Sequence, residues 1–316
     1  MPPMVTGVKY NRSARLDTSE VSDARRGVPG GRTGIAVGGG GLGVIGVVIY
    51  LVIALTGGGG GSGAAADILG QLGQGGQPAT ADNAQVAADC KTGEDANEKL
   101  DCAVVADIDS IQDYWRAELP QHGRQYAPVN TVWFSGQVST GCGAADSGVG
   151  PFYCPADKLV YIDLSFYTEL EQKFGAQGGL FVDAYVIAHE YGHHVQDLLG
   201  TSSKVKAGAT GPTSGSVRLE LQADCYAGLW AKHATTTPGA DGTILVSDIT
   251  ADDISRALDT AGRIGDDYIQ THLGGGSADP NSFTHGTSAQ RRKWFTTGYR
   301  TGQFSACDTF GTSNLG

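Results

Sequence analysis

The stretch Ala188-His189-Glu190-Tyr191-Gly192-His193 decides the fold and the chemistry open to this chain. Residues four positions apart lie one turn apart on a helix, so His189 and His193 present their imidazoles on one face. Two histidines at this spacing bind one tetrahedral zinc ion in zinc hydrolases, and Glu190 between them points toward a water on that ion. The alternative is an ordinary buried helix whose histidines bond to neighbouring side chains. The motif predicts that His189 and His193 are ligands of Zn2+.

The flanking residues predict the helix that carries this motif. Apolar residues from Val182 onward recur with the helical period. Gly200 supplies a stop directly after Leu199. The sequence therefore predicts a helix near residues 180–199.

A second segment, residues 218–230, places Glu220 and Asp224 one turn apart on a helical face. We expect Glu220 to be the third protein ligand, and Asp224 to accept the spare N–H of a ligand histidine and so fix its tautomer. The alternative is a pair of acids on a solvated face. The leucine, alanine and tryptophan residues around the pair favour a mostly buried helix, in which a carboxylate needs a cation or a hydrogen-bond donor.

These motifs resemble the gluzincin pattern of zinc metallopeptidases. Over about residues 86–310 the chain also resembles the bacterial family called putative neutral zinc metallopeptidases. The stretches that carry this resemblance are residues 150–155, 189–196, 220–230 and 283–291. The resemblance implies a zincin-like metallopeptidase domain that binds Zn2+ and hydrolyses peptide or protein substrates.

The segment 285–291 is also similar to the late His-Pro-x-x-x-x-Arg element of membrane-embedded CAAX prenyl proteases, with Gly286 in place of the proline. The analogy implies that His285 approaches the zinc from the substrate side and stabilises the oxyanion. It implies that Arg291 orients His285 or the helix of the third ligand. The alternative is that His285 is a loop residue before a helix that is capped by the following threonine or serine.

The predicted mechanism is zinc-assisted amide hydrolysis, in which the ion lowers the pKa of its water and Glu190 takes the proton. Glu190 then returns the proton to the leaving amine. One alternative is a non-catalytic, zinc-containing envelope domain with a binding or regulatory role, although a purely structural zinc site needs no general base. Another is a hydrolase of peptidoglycan crosslinks.

The order of elements predicts an α+β fold, mainly helical with a small sheet. Beyond the two motif helices, the periodicity of apolar residues indicates further elements. The predicted helices are residues 107–119, 166–174, 251–273 and 287–300, and the predicted strands are residues 131–138 and 159–163. We expect residues 159–163 to form an edge strand, which could pair with an extended peptide over the metal.

The amino-acid composition changes along residues 1–85 and indicates three segments before the domain. Residues 1–34 are polar with a net charge of about +3, which predicts a disordered cytoplasmic tail. Residues 35–56 carry no charge and are long enough to cross a bilayer, which predicts a single transmembrane helix. Residues 57–85 begin with a glycine run and predict a flexible linker, followed by the zincin-like domain over residues 86–316.

The charge distribution predicts the orientation of this span. Basic residues precede it and none follow closely, so the N-terminus is expected in the cytoplasm and the catalytic domain outside a single-pass cell membrane protein. The alternative is a cleaved signal peptide that ends near residues 64–66. The chain has a net charge of −11, and subtracting the +3 of residues 1–34 leaves about −14 for the rest, which argues against nucleic acid as a partner.

All six cysteines follow the predicted span, and their even number predicts disulfides in an oxidising compartment. A zinc site built from cysteines lacks close Cys-x-x-Cys spacing. The predicted pairs are Cys90 with Cys102, Cys142 with Cys154, and Cys225 with Cys307. The last pair would join the helix of the third metal ligand to the C-terminal segment.

Overall fold

The computed structural model describes residues 7–25, 83–206 and 208–316. The helices are α1 Ala84–Asp89, α2 Gly93–Glu98, α3 Leu100–Glu118, α4 Ser165–Gln172, α5 Leu180–Leu199, α6 Gly215–His233, α7 Ala251–Arg263, α8 Asp266–Tyr268 and α9 Ser288–Thr301. The strands are β1 Lys9–Tyr10, β2 Val21–Asp23, β3 Thr131–Phe134, β4 Gln137–Thr140, β5 Gly143–Asp146, β6 Phe152–Cys154, β7 Leu159–Asp163 and β8 Val246–Asp248. This arrangement agrees with the predicted mixture of many helices with a small sheet.

The main sheet has four strands in the order β2-β3-β7-β6. Strands β2, β3 and β7 are parallel, and β6 is antiparallel to β7, with Phe152 opposite Tyr161. Strands β3 and β7 are rich in β-branched and aromatic residues and mostly buried, as expected for strands covered on both faces. The predicted edge position of residues 159–163 is wrong, because β7 lies between β3 and β6. The edge nearest the metal motif is β6, whose three residues are too few to show a periodic pattern.

The predicted strand over residues 131–138 is two strands. Gly136 has a φ of +78°, which turns the chain between β3 and β4. Strand β4 then pairs with β5 in a separate antiparallel hairpin. The alternation of apolar residues continues through the turn, so the pattern alone did not show the break.

Helix α5 confirms the predicted helix of the motif, and Gly200 ends it in the left-handed conformation with a φ of +73°. Helix α6 packs directly against α5. A Cβ atom on Gly192 would lie 3.0 Å from the Cα of Ala223, so the glycine of the motif allows the two helices to approach closely. This close contact brings Glu220 and Asp224 to the histidines.

The predicted helix over residues 251–273 is broken. Helix α7 ends at Arg263, and the chain continues through Gly265 into α8 and a π-helical turn, Ile269–Leu273. A Cβ atom on Gly265 would lie 2.4 Å from the backbone nitrogen of Ser288, so the break lets this segment contact the start of α9. The predicted final helix is confirmed as α9, with the Thr287 side chain as its N-cap.

Residues 7–25 are part of the folded domain, so the prediction of a disordered tail over residues 1–34 is wrong for this segment. Strand β1 pairs with β8 and β2 pairs with β3. The buried Tyr10 hydroxyl donates to Asp107 on α3 at 2.7 Å. The predicted domain start at residue 86 therefore omits an ordered part. A segment that shares a sheet with the domain also lies on the same side of any membrane as the domain, contrary to the predicted topology.

No helix in the described ranges is long and apolar enough to cross a bilayer. The transmembrane part of the predicted fold class and the predicted single-pass localisation are corrected accordingly, since the described structure supports neither. The predicted span over residues 35–56 lies outside the described residues. The predicted linker lies outside them up to residue 82.

The structure confirms the three predicted disulfides. The two local bridges join Cys90 with Cys102 and Cys142 with Cys154. The third joins Cys225 on α6 to Cys307, which is 82 positions away. This bridge attaches the C-terminal segment to the helix that carries Glu220 and Asp224.

Candidate metal centre

Helices α5 and α6 bring together the three predicted metal ligands. His189, His193 and Glu220 are buried, and each offers a ligand atom within 4.8 Å of the others. The Nε2 atom of His189 lies 3.2 Å from Oε2 of Glu220, and Nε2 of His193 lies 3.4 Å from Oε1 of the same carboxylate. Among the described residues, these three are the one group of His, Cys, Asp or Glu side chains close enough together to share a metal ion.

The cluster fits zinc in its donor atoms and in its spacing. Two imidazoles and one carboxylate are a protein ligand set of catalytic zinc sites, which leave a fourth position open. A tetrahedral ion with bonds of about 2.1 Å holds neighbouring ligand atoms about 3.4 Å apart. The two nitrogen-to-oxygen distances, 3.2 Å and 3.4 Å, agree with that spacing.

The charges around the cluster also favour a cation. Burial alone would raise the pKa of Glu220, but the nearby histidines, His193 foremost, hold it well below its usual range. Burial lowers the pKa of His189, and the carboxylates of Asp224 and Glu220 outweigh this effect and raise it to about 10. The site therefore favours a positive charge between its carboxylates.

Charged residues hold His189 in place. Its Nδ1 lies 2.9 Å from Oδ1 of Asp224, so the ring donates there and leaves Nε2 as the metal-facing atom. Arg291 donates from Nε and Nη2 to the two oxygens of Asp224 at 2.8 Å and 2.9 Å. The Tyr185 hydroxyl donates to Oδ1 at 2.7 Å. The structure thus places Asp224 of α6 beside His189, and Arg291 of α9 against Asp224.

Neutral amides hold His193 in place. Its Nδ1 lies 2.9 Å from Oε1 of Gln196, so Nε2 again faces the metal position. Nε2 of Gln196 donates to the carbonyl oxygen of Leu219 at 2.7 Å, which fixes the orientation of the amide. Gln196 also donates to Gln222, whose own amide donates to the carbonyl oxygen of Cys307. The hydrogen bonds behind His193 therefore extend to the Cys225–Cys307 bridge.

Glu190 lies beside the ligands and lines the same cavity. Its Oε2 accepts a hydrogen bond of 3.0 Å from the backbone nitrogen of Tyr153 on β6. Burial raises the pKa of Glu190 to about 7. A carboxylate with a pKa near neutrality is suited to accept and return a proton at physiological pH.

His285 faces the cavity from the loop before α9. Oδ2 of Asp266 accepts hydrogen bonds from three successive backbone nitrogens, those of Thr284, His285 and Gly286, at 2.7 to 2.9 Å. Oδ1 of Asp266 lies 3.3 Å from Nδ1 of His285. Burial lowers the pKa of His285, but the carboxylates of Glu220 and Asp266 raise it above its usual value. The two alternatives considered for His285 are therefore compatible. It is a loop residue before a capped helix, and it also faces the cavity.

Sequence reasoning missed three residues that support the site. Gln196 is three positions after His193 and Tyr185 is four positions before His189, so the helical period alone could have identified both. Asp266 has no such signal, because the break of the predicted helix brings it to His285. The sequence also gave no sign that the backbone of Tyr153 binds the Glu190 carboxylate.

Comparisons with known proteins agree with this site. The sequence profile of the family described as putative neutral zinc metallopeptidase matches residues 10–310. An uncharacterized protein of Mycobacterium tuberculosis is 48% identical over 228 residues, which cover 72% of this chain and 76% of that protein. The uncharacterized protein YpfJ of Escherichia coli is 42% identical over 243 residues, which cover 75% of this chain and 79% of that protein. No solved structure matches the chain.

The profile begins at residue 10, so it includes the ordered N-terminal segment as well as the predicted resemblance over residues 86–310. The description of the family implies zinc as the metal and peptides or proteins as substrates. The chain belongs to the family of putative neutral zinc metallopeptidases.

Proposed function

We propose that this protein is a zinc-dependent peptidase of the gluzincin type, with His189, His193 and Glu220 as metal ligands and Glu190 as general base. The observation that carries the proposal is the position of Glu190. It lines the cavity into which the three clustered ligand residues also open, and a backbone N–H holds one of its oxygens. A structural zinc site has no need of such a group.

A zinc ion held by His189, His193 and Glu220 would supply a water of lowered pKa and would polarise the scissile carbonyl. Glu190 accepts the proton of the attacking water and returns it to the leaving amine. The hydrogen bond from the Tyr153 backbone N–H to Oε2 of Glu190 limits rotation of the carboxylate. Glu190 therefore accepts and returns the proton at the same place in the cavity. Burial of Glu190 excludes bulk water from competing for that proton.

His285 and Arg291 have different roles in the proposal. His285 donates a hydrogen bond to the oxyanion that develops on the substrate carbonyl, and Asp266 keeps the imidazole oriented. Arg291 is a positioning residue, since its contacts with Asp224 orient the carboxylate that holds His189.

The test is the Glu190→Gln variant of the full chain, assayed for zinc content and for cleavage of a diverse peptide library. We expect one equivalent of zinc in both proteins and cleavage by the parent alone, because the amide cannot accept the proton. The exposed Glu98→Gln change on α2 is the matched control and should leave cleavage unchanged. Removing zinc with a chelator should abolish cleavage, and adding zinc should restore it.

Other results would contradict the proposal. Cleavage by Glu190→Gln at the parental rate would exclude Glu190 as the base. Zinc bound by the parent without cleavage of any peptide would favour a non-catalytic zinc domain. Zinc content that survives simultaneous alanine substitution of His189 and His193 would place the metal elsewhere.

A further inference from the structure

One wall of the cavity beside the metal cluster is apolar. The cavity has a volume of about 180 Å³. Besides the site residues, eight apolar side chains line it, and they come from the β6 region, α4 and the residues directly after it, α5, and the segment that follows α7. These residues are Val149, Pro151, Phe152, Phe166, Phe174, Val186, Ile264 and Ile269. Four of them are only partly buried, so they are accessible to a ligand that enters the cavity.

The charged groups of the lining are already paired within the protein. Outside the metal site, Glu169 and Lys173 contact each other at 2.9 Å. Arg291 donates two hydrogen bonds to Asp224, from Nε and from Nη2. His285 lies against Asp266, with 3.3 Å between Nδ1 and Oδ1. The described lining therefore presents no charged group that is set apart for a terminal amine, a terminal carboxylate or a charged side chain.

The size of the cavity matches one large apolar side chain. An engineered protein cavity of about 150 Å³ lined by apolar residues binds benzene, so about 180 Å³ accommodates a phenyl or isobutyl group. Gly150 lets the Phe166 ring, which forms part of the wall, approach the backbone closely. A Cβ atom there would lie 3.0 Å from the Phe166 ring, and its φ of +78° disfavours other residues.

The location of the cavity relates it to the bond that is cleaved. His189, Glu190 and His193 line the same cavity as the apolar wall. A side chain that fills the cavity therefore belongs to a residue whose backbone lies within reach of Glu190. We propose that this cavity selects substrates with a large apolar residue, phenylalanine or leucine, next to the scissile bond. This inference rests on the proposed peptidase function and extends it to the class of peptide.

The first measurement compares kcat/KM for quenched fluorescent peptides of one sequence that differ only beside the cleaved bond. The series contains phenylalanine, leucine, alanine, aspartate and lysine at that position, with both termini blocked. We expect phenylalanine and leucine peptides to exceed the alanine peptide by at least about 10-fold, and the charged peptides to be cleaved least. Equal rates across the series, with cleavage intact, would overturn the inference and leave the peptidase function standing.

Two wall variants test whether this cavity causes the preference. Phe166→Ala and Ile269→Ala each remove apolar area from a half-buried lining position, and the two positions lie on different structural elements. We expect each to reduce the ratio of phenylalanine to alanine cleavage by about 5- to 10-fold. Phe310→Ala, at a half-buried phenylalanine of the C-terminal segment outside the cavity, is the matched control and should preserve the ratio. An unchanged ratio in both wall variants would assign the preference to another surface.

A binding measurement separates this inference from the peptidase function. The zinc-loaded Glu190→Gln protein is titrated with the same blocked peptides, and their dissociation constants are measured by calorimetry. Phenylalanine and leucine peptides should bind about 10-fold more tightly than the alanine peptide, and Phe166→Ala in this background should remove most of the difference. Apolar-selective binding without cleavage by the parent would support the cavity and contradict the peptidase. Absence of selective binding would overturn the cavity whatever the outcome of the cleavage assay.

Discussion

The two histidines proposed as metal ligands are held by different kinds of hydrogen-bond partner. His189 donates to Asp224, a buried carboxylate that Arg291 binds through two hydrogen bonds. His193 donates to Gln196, a neutral amide whose other end is bonded to a backbone carbonyl oxygen. The charged side and the neutral side of the metal cluster give both imidazoles the same tautomer, with Nε2 toward the metal position.

The comparison shows that the orientation of an imidazole and the charge of the group behind it are separate contributions. A carboxylate behind an imidazole orients the ring and increases its basicity, whereas an amide only orients it. The buried carboxylate requires its own cation, and Arg291 supplies it. The amide requires one acceptor, and Leu219 supplies it. We therefore expect the charged side to be the more sensitive to mutation.

The largest effect is expected when the charged side loses its cation. Replacing Arg291 by alanine should lower the free energy of unfolding by about 3–5 kcal/mol, because the buried Asp224 would lose the guanidinium that bonds to both of its oxygens. Urea unfolding of the zinc-free protein measures this change. Arg292→Ala, at the exposed neighbour on α9, is the control and should cost less than about 1 kcal/mol. Equal losses in the two variants would mean that the Arg291–Asp224 pair is not specially important.

The next effect concerns zinc affinity on the charged side. Asp224→Asn preserves the shape of the side chain but removes its negative charge, and it should weaken zinc binding by about 10- to 100-fold. Competition with a chelator of known affinity measures the change. Asp248→Asn, at an exposed position of β8, should leave the affinity unchanged. An unaltered affinity in Asp224→Asn would show that orientation alone matters at His189.

A smaller effect is expected on the neutral side. Gln196→Ala removes an orienting acceptor but no charge, so zinc affinity should fall by only about 10-fold. The same chelator competition applies, with the exposed Gln172→Ala on α4 as control. A loss in Gln196→Ala larger than that in Asp224→Asn would reverse the ranking of the two sides.

The smallest effect is a difference in pH dependence. Burial raises the pKa of Asp224, but Arg291 and His189 outweigh it and lower the pKa from 3.8 to about 2. A folded-state pKa below the unfolded value stabilises the protein above about pH 4, and this contribution decreases as the pH falls toward 2.

Measurement of zinc-free protein tests this dependence. The stability difference between the parent and Asp224→Asn should shrink by about 1 kcal/mol between pH 5 and pH 3. The corresponding difference for Gln196→Ala should not change over the same range, since an amide does not titrate. A parallel change in both variants would assign the pH dependence to another group.

The helices of the site were predictable from sequence because their signals are local. The motif of α5, its terminating Gly200 and the cap of α9 depend on residues within a few positions of each other. The elements that were missed or predicted wrongly have short or interrupted signals. Strand β6 has three residues, and the helix break at Gly265 depends on contact with the start of α9.

The N-terminal segment shows the same limit. Strands β1 and β2 have two and three residues, and their partners are β8 and β3, far along the chain. Their polar composition therefore resembled a disordered tail. The buried contact between Tyr10 and Asp107 could not be recognised without the tertiary structure.

The sequence by itself determined that two of the proposed zinc ligands and the proposed base lie together, because the helical period places His189, Glu190 and His193 within about one turn. Only the tertiary structure decided which acid hydrogen-bonds to which histidine and which cation pairs with that acid. Asp224 is 35 positions from His189 and 67 positions from Arg291. The tertiary structure also decided that an apolar wall lies beside Glu190. Such contacts depend on how helices and strands pack, and local periodicity does not encode that packing.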